Sequence, residues 1–325
     1  MATYKEIKGT QIEVLSSDPS NPVEGQVWYN STSNVLKGQA TTVTGAWATG
    51  GNLNTGRDYL GGVGATKDAA LAFGGGPPPA PTAKAITESY NGTSWTEVSD
   101  MNSAKAFVAG AGIYTSAIAS GGDQYSGVAE SWNGTNWTSI TNEPNGSNAY
   151  GGAGADNTNA LFFGGSPAGG KANTRYWNGS SWTDLNNMNT ARSGLAASGK
   201  TYTAALAFGG VTSPYPTKCA QTESFNGTNW TEVSDLGTAR YFLGGAGTQT
   251  SALAFGGNDP SPGATEEWNG TNWTETTNLS TARYALAAAG ANNGNALAFG
   301  GHPNRTATES WTGAGASVTK TFDDS

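Results

Sequence analysis

The sequence has 325 residues, of which only 12% are charged, and its formal net charge at pH 7 is −8. It has no basic stripe that could follow a phosphate backbone, so nucleic acid is not an expected partner. It also lacks a run of about 18 apolar residues, which argues against insertion into a membrane.

The composition favours strands over helices. The 48 glycines fall at short intervals and strong helix formers are scarce. The 11 Trp, 12 Tyr and 10 Phe residues can nevertheless bury a large apolar area. We therefore predict an all-β protein with an aromatic core.

Residues 1–27 do not match the repeat that fills most of the chain. The segments 25–30 and 35–38 are separated by the polar turn Ser31-Thr32-Ser33-Asn34, a pattern typical of a short β-hairpin. We predict that residues 1–40 form an N-terminal attachment segment with this hairpin. Residues 41–325 are predicted to form the main domain.

The main domain is built from a repeated unit. In each unit an apolar run ends in two glycines, and a variable loop then leads to a short strand with an aromatic residue. In five units an Asn-Gly turn follows, with a Trp five residues after the aromatic. The spacing of 43 to 47 residues is typical of propeller repeats. The glycine pairs are Gly74-Gly75, Gly121-Gly122, Gly164-Gly165, Gly209-Gly210, Gly256-Gly257 and Gly300-Gly301.

Each unit predicts four strands, which we call a, b, c and d. Strands a and b are rich in Ala and Gly and suit a crowded centre, whereas the aromatic residues of c and d suit the wider outer part. Asn-Gly is a favoured tight turn between antiparallel strands and connects c to d. Small sheets of this kind cannot bury both faces alone. Stacking them radially supplies the core and predicts a β-propeller.

The repeat resembles the kelch family of β-propellers. The resemblance rests on an apolar–Gly-Gly element followed by two spaced aromatics, as in Phe255-Gly256-Gly257 with Trp268 and Trp273. It covers about residues 41–311. The aromatic spacing of five is tighter than in the usual kelch unit, so only the fold is carried over from the family.

The number of blades follows from the Trp residues of strand d. Six units have a glycine pair, but only five continue into a Trp-bearing strand d. The segment around Trp47 leads into Arg57 as the other d strands lead into the next unit. We predict six blades, the last closed by this N-terminal strand; the alternative is seven, with residues 25–50 and the C-terminal tail forming an irregular blade. The structural tryptophans are Trp47, Trp95, Trp137, Trp182, Trp230 and Trp273.

Charged residues also recur in register. A basic residue opens strand a in five units and a glutamate lies in strand c of five units, while the third unit has Ser147 and Arg175 instead. We predict five ion pairs within blades; solvated surface charges are the alternative. The predicted pairs are Arg57–Glu88, Lys105–Glu130, Arg192–Glu223, Arg240–Glu266 and Arg283–Glu309.

Few residues suggest catalysis. His302 is the only histidine and Cys219 the only cysteine, which excludes histidine or cysteine metal clusters. We predict no catalytic residue, no metal site and no cofactor. The segment 156–159 is interpreted as a turn between strands, with calcium binding as the alternative.

The loops between strands b and c differ most between units. In a propeller these loops share one face, and their prolines would lower the ordering cost of binding. A constant scaffold with variable loops is typical of a recognition surface, although loop drift would give the same pattern. The candidate ligand-binding residues of this face are Tyr125, Tyr215, Lys218, Asp259, His302 and Arg305.

The N-terminal segment adds a second resemblance. Residues 24–37 resemble the "EGxxWYNxxxxxLK" hairpin of bacteriophage tail-fibre and other virion proteins, including kelch-like structural proteins of marine phages. This implies a non-enzymatic virion protein that is assembled in the host cytoplasm, since residues 1–15 do not form a secretory signal.

The same resemblance implies the partners. The N-terminal segment would bind other virion proteins or sister chains in a homo-oligomer, and the propeller would bind a host surface glycan or protein as part of a tail fibre or receptor-binding component. The alternatives are a capsid or tail decoration protein, a kelch-type binding module and a carbohydrate-active enzyme.

Overall fold

The structure is a computed structural model. It describes residues 12–322 except 24, 42–43, 77–81, 123–125, 145, 149, 167–169, 259–262 and 316. The described residues form strands and turns and contain no helix. No helix that is long and apolar enough to span a membrane is therefore present in this part of the chain.

The chain divides into two compact units. One comprises Met1–Gly45 with Gly313–Ser325, and the other comprises Ala46–Thr312. The C-terminal residues thus group with the N-terminal segment, whereas residues 41–325 were predicted to form one domain.

The N-terminal unit contains one sheet of four strands. Its strand order is β1-β2-β3-β30, in which β1 and β2 are parallel and the other neighbours are antiparallel. Strands β2 and β3 are the predicted hairpin. The strands are β1 (Glu13–Leu15), β2 (Val27–Asn30), β3 (Val35–Thr41) and β30 (Ser317–Phe322).

Asp18 connects the residues of the N-terminal hairpin. One carboxylate oxygen accepts hydrogen bonds from Trp28 Nε1 at 3.0 Å and Asn30 Nδ2 at 2.7 Å, and the other lies 2.7 Å from Lys37 Nζ. These bonds lower the pKa of Asp18 to about 2, with Lys37 as the largest cause. The Trp, Asn and Lys of the hairpin motif therefore converge on one carboxylate outside the motif.

Residues 46–312 form six antiparallel sheets of four strands, an arrangement consistent with a propeller. Each sheet has the predicted order a-b-c-d. Strands a and b are β5 (Gly61–Thr66), β6 (Ala69–Phe73), β9 (Ala109–Ile113), β10 (Ser116–Ser120), β13 (Gly151–Asp156), β14 (Asn159–Phe163), β17 (Ala196–Thr201), β18 (Ala204–Phe208), β23 (Gly244–Gly247), β24 (Ala252–Phe255), β27 (Ala287–Asn292) and β28 (Asn295–Phe299). Strands c and d are β7 (Thr87–Tyr90), β8 (Trp95–Val98), β11 (Ala129–Trp132), β12 (Trp137–Ile140), β15 (Thr174–Trp177), β16 (Trp182–Leu185), β21 (Thr222–Phe225), β22 (Trp230–Val233), β25 (Thr265–Trp268), β26 (Trp273–Thr276), β29 (Thr308–Thr312) and β4 (Ala46–Thr49). The two-residue strands β19 (Val211–Thr212) and β20 (Thr217–Lys218) pair within one b–c loop.

Strand β4 supplies strand d of the sixth sheet, as its Trp predicts. It pairs antiparallel with β29, where Trp47 lies opposite Trp311. The innermost strands also contact one another from sheet to sheet, in the sequence β5, β9, β13, β17, β23, β27 and β5 again.

Glycine and alanine permit these close contacts between sheets. A Cβ atom on Gly62 of β5 would lie 2.6 Å from Phe299 Cζ and 2.8 Å from the Cβ of Ala287, both in the sixth sheet. Real side chains do not approach so closely, so the spacing of the inner strands requires glycine at this position. The small residues of strand a thus set the distance between sheets.

The Trp residues of strand d fasten each sheet to the preceding one. Five of the six indole N–H groups donate to the hydroxyl of a threonine that opens strand c of that sheet, as in Trp95 Nε1 to Thr308 Oγ1 at 3.0 Å. The same five rings pack on the phenylalanine that ends strand b of that sheet, as Trp95 does on Phe299 with a centroid distance of 4.8 Å. The other four pairs with threonine are Trp47–Thr265, Trp137–Thr87, Trp230–Thr174 and Trp273–Thr222.

Trp182 is the exception, for a local reason. The second sheet has Ser120 and Ala129 where the others have Phe and Thr, so it offers neither ring nor hydroxyl. Trp182 donates instead to the carbonyl of Thr141 at 2.7 Å and packs on Phe162 of its own sheet.

The five predicted ion pairs are present and buried. Their N···O distances lie between 2.8 and 3.1 Å, and the basic side chains also donate to carbonyls of their own sheet. The third sheet reverses the polarity, because Arg175 of strand c bonds Glu143 and lies 2.8 Å from Asp184. Glu143 occupies the place of the buried Met101 of the preceding unit. The segment between strand d of one sheet and strand a of the next, which we call the d–a connection, is thus held to the following sheet by a buried polar contact.

Candidate functional site

The candidate site lies at the b–c end of residues 46–312, where strands b end and strands a begin. This end is defined by antiparallel pairs such as Gly61 with Phe73 and by the bridge between Asp58 and Gly76. The loops that carry the predicted binding residues therefore lie next to the residues that open the inner strands.

His302 and Arg305 come together in the sixth b–c loop. Arg305 Nη2 lies 2.6 Å from His302 Nδ1, and Arg305 Nε lies 3.1 Å from Asp58 Oδ2. Because a guanidinium can only donate, Nδ1 accepts and the proton of a neutral imidazole is on Nε2. The His302 ring also packs beside Tyr284, with a centroid distance of 5.0 Å. These residues form a polar rim with one aromatic neighbour.

Tyr215 is the most exposed aromatic of the described b–c loops, with 59% of its surface accessible. Its ring is nearly perpendicular to that of Tyr241, with 6.5 Å between the ring centroids, and Tyr241 Oη accepts a hydrogen bond from Asn258 Nδ2 at 2.7 Å. Lys218 lies in β20, in the same loop. The predicted residues Tyr125 and Asp259 lie outside the described residues.

Sequence reasoning missed the residues at the centre of this end. They share one repeat position, two residues after the basic residue that opens five of the units, and all have a left-handed backbone with φ between 51° and 61°. The common offset was a signal available in the sequence, but nothing in the residue types indicated the backbone conformation. The residues are Tyr59, Phe107, Gly194, Phe242 and Ala285.

This repeat position also joins the sheets through the backbone. The amide of Tyr59 donates to the carbonyl of Ala285 at 2.9 Å, and that of Phe107 donates to Tyr59 at 2.8 Å. In the same manner Ala285 donates to Phe242 at 2.8 Å, and Phe242 donates to Gly194 at 2.7 Å. Among the described residues, these hydrogen bonds link the second, first, sixth, fifth and fourth sheets in turn.

Three of these residues bring their rings together, and we call Tyr59, Phe107 and Phe242 the aromatic cluster. The ring centroids are 4.0 Å apart for Tyr59 and Phe107, 5.2 Å for Tyr59 and Phe242, and 6.2 Å for Phe107 and Phe242. All three side chains are half-buried, and they line a cavity of about 100 Å³ with Leu60, Leu195 and their repeat equivalents.

The aromatic cluster and the predicted rim are electrostatically connected. Burial raises the pKa of Tyr59 above its usual range, and Tyr284, Asp58, Tyr215 and Tyr241 raise it further. Tyr59 is therefore close enough to interact with the residues around His302, namely Asp58 and Tyr284, and with the Tyr215–Tyr241 pair. Its phenol stays protonated and can donate a hydrogen bond at neutral pH.

The aromatic cluster is held at a conformational cost. A left-handed backbone costs a non-glycine residue roughly 1–2 kcal/mol, and Gly194 demonstrates that glycine fits this repeat position. A Cβ on Gly194 would lie 3.2 Å from the Phe242 ring, so this ring covers the space that the glycine leaves. Strained residues of this kind cluster at functional sites. We therefore interpret the aromatic cluster as a functional feature rather than as packing.

The strain of the left-handed backbone predicts that glycine is more stable than alanine at position 242, the reverse of their usual order. The Phe242→Gly variant should be more stable than Phe242→Ala by about 1 kcal/mol, because both lose the ring but only alanine keeps the strained Cβ. Denaturant unfolding of the two variants measures the difference. At Tyr284, whose φ is not positive, glycine should be less stable than alanine. The same sign at both positions would contradict the strain argument.

Among the residues that the structure describes, no group of three or more His, Cys, Asp or Glu side chains could hold a metal ion.

No family model matches this chain, and no curated protein was found to be similar to it. The geometry supports stacking of a ligand on aromatic faces, with hydrogen bonds from a polar rim.

Proposed function

We propose that this protein is a non-enzymatic binding protein whose aromatic cluster and rim bind a carbohydrate. The observation that carries the proposal is the left-handed backbone of Tyr59, Phe107 and Phe242, which holds three rings at a cavity despite its conformational cost. Aromatic faces pack well on the C–H faces of sugar rings, while hydroxyls need polar partners at the edge. Asp58, His302 and Arg305 supply such partners.

Binding is favoured over glycoside hydrolysis by the composition of the cavity. Hydrolysis requires two carboxyl groups about 5–10 Å apart across the glycosidic bond. The described residues that line this cavity are Tyr, Phe, Leu, Val, Ala and Gly, and the nearby Asp58 is bound by Arg305. The cavity therefore offers surfaces for stacking rather than an acid and a base.

We further infer that residues 46–312 form a six-bladed propeller of the kelch type, closed by β4. Three observations support this. Six sheets share one strand order, the innermost strands contact one another in a sequence that returns to β5, and the amide of Tyr59 in the first sheet bonds the carbonyl of Ala285 in the sixth. The strands of the alternative seventh blade form a sheet with a parallel pair, unlike the six repeats.

The place of action that we propose is a bacteriophage virion, in a tail fibre or receptor-binding component. The resemblance of residues 24–37 to virion hairpins supports it, and the Asp18 network gives the Trp, Asn and Lys of that motif a common structural role. The N-terminal unit would bind other virion proteins, and the b–c end would face a host glycan. Mass spectrometry of purified particles tests this, and absence from them would remove the virion proposal while leaving the binding proposal intact.

The carbohydrate proposal predicts a specific loss of affinity. The intact protein should bind one or more bacterial surface oligosaccharides on a glycan array. The Phe107→Gly and Phe242→Gly variants should bind about 30-fold more weakly, since central aromatic contacts commonly contribute about 2 kcal/mol. Calorimetry measures the dissociation constants.

Tyr114→Ala is the matched control. Tyr114 is an exposed aromatic in the turn between β9 and β10, away from the b–c end. The Tyr114→Ala variant should bind the oligosaccharide as tightly as the wild type does. Equal loss in all three variants, or no oligosaccharide bound by the wild type, would overturn the proposal.

A further inference from the structure

A second cavity, of about 60 Å³, lies at the far end of the innermost strands. Glycine and alanine make up most of its lining, which comes from all six strands a. Lys200, near the end of β17, is the one charged residue among the described lining residues. Its ammonium donates to the carbonyl of Gly64 at 3.0 Å. Gly64 lies in β5, whereas the innermost strands that β17 contacts are β13 and β23, so the side chain reaches across the cavity.

The charge of Lys200 is poorly compensated. An ammonium has three donors, and the Gly64 carbonyl is the acceptor found for this one within the described residues. Burial alone lowers the pKa of Lys200 to about 8, with no acidic neighbour to raise it. The group is therefore still mainly protonated at pH 7. A partly buried cation without a counter-ion favours an anion in the adjacent space.

The walls of the cavity can contribute further donors. Each strand a is the last strand in its sheet order, so one of its edges has no strand partner. Such an edge presents backbone N–H and C=O groups in alternation. The absence of bulky side chains, as at Gly154, Gly199 and Gly247, lets a ligand approach that backbone.

We propose that the Lys200 cavity binds a small oxyanion, of the carboxylate or sulfate class. One anion oxygen would accept from Lys200 Nζ and another from an edge amide, in charge-assisted hydrogen bonds. This site is separate from the aromatic cluster and does not depend on the proposed carbohydrate function.

The test measures binding of sulfate and of acetate to the full chain by calorimetry at constant ionic strength. Sulfate keeps its charge between pH 6 and 9, so a change in its affinity over this range reports on the protein. The Lys200→Met variant should bind about 10- to 100-fold more weakly, because a hydrogen bond to a charged group contributes about 1.5–3 kcal/mol. Comparing sulfate with acetate distinguishes the two kinds of oxyanion.

The pH dependence follows from the same side chain. Affinity should be highest below pH 8 and fall as pH rises above it, because neutral lysine no longer attracts an anion. The other residues that line the cavity from the six strands are Gly, Ala, Val63 and Ser198, and none of these titrates in this range.

Lys67→Met provides the control. Lys67 lies in the turn between β5 and β6, pairs with Asp68 at 2.8 Å and is not part of the cavity lining. It should bind both anions as the wild type does. Absence of wild-type binding, or equal binding by the wild type and Lys200→Met, would overturn the proposal and leave Lys200 as a brace between β17 and β5.

Discussion

Replacing Trp47 by alanine is expected to lower the free energy of unfolding of residues 46–312 by about 3–5 kcal/mol, the usual range for a buried aromatic. The Trp47 ring is 9% exposed and packs on Phe255 at 5.0 Å and Trp311 at 5.3 Å. Its indole donates to Thr265 Oγ1 at 3.1 Å. Both Phe255 and Thr265 are in the fifth sheet, whereas Trp47 is in the sixth. Trp47 therefore joins these two sheets.

Denaturant unfolding of the full chain, followed by a probe in the sixth sheet, measures the effect. Trp182→Ala is the matched control, since Trp182 lacks the threonine hydroxyl and phenylalanine of the preceding sheet and is half-buried. The Trp182→Ala variant should lose less free energy of unfolding than Trp47→Ala. If Trp47→Ala were no more destabilising than Trp182→Ala, closure of the sixth sheet by β4 would not be a major source of stability.

A second large effect is expected from Glu88→Gln, which should cost about 3–5 kcal/mol of unfolding free energy. Removing one member of a buried ion pair leaves the other charge uncompensated. Both side chains of the Arg57–Glu88 pair have no accessible surface, and Arg57 Nη2 lies 2.8 Å from Glu88 Oε1. Glu88 Oε2 also accepts from the Asn54 amide at 2.7 Å, so the d–a connection would loosen as well.

The exposed pair Lys67–Asp68 is the control for this prediction. The Asp68 side chain is 55% exposed, and Asp68→Asn should change stability by at most about 1 kcal/mol. Thermal or urea unfolding compares the two variants. Equal small effects would indicate that the buried pairs orient the connections without stabilising the fold.

The sheets could be predicted because their rules are local and repeated. The glycine pairs recur six times, and the Asn-Gly turns with their aromatic spacing recur five times. Each recurrence supports the same strand order. The position of Trp47 could be predicted because a single missing Trp at one end of the chain matched a spare Trp at the other. The ion pairs could be predicted from register alone. Arg57 and Glu88 occupy the same two repeat positions as the members of four other pairs.

Contacts that occur only once could not be predicted in this way. The exchange of charge at Arg175 and Glu143 depends on two substitutions 32 residues apart, each of which looks like a simple loss of the pattern. The pairing of β30 with β3 joins segments that have no repeat equivalent. Asp18 lies outside the hairpin motif, so its bonds to Trp28 and Lys37 were not visible in the motif.

The candidate site was predicted only in part. Loop variability pointed to the b–c end, where His302, Arg305 and Tyr215 lie, because variable loops are where a binding surface is usually found. The aromatic cluster escaped detection because its distinguishing property is the backbone conformation of Phe107 and its equivalents. A residue type carries little information on whether φ is positive unless it is glycine or asparagine.

Mapping the bound oligosaccharide by NMR tests the central claim most directly. Amide and aromatic signals of the full chain would be compared with and without a saturating oligosaccharide chosen from the array. Binding at the aromatic cluster predicts that the largest shifts belong to Tyr59, Phe107 and Phe242, with smaller ones at Tyr284 and His302. Shifts confined to the outer strands or to the N-terminal unit would contradict it.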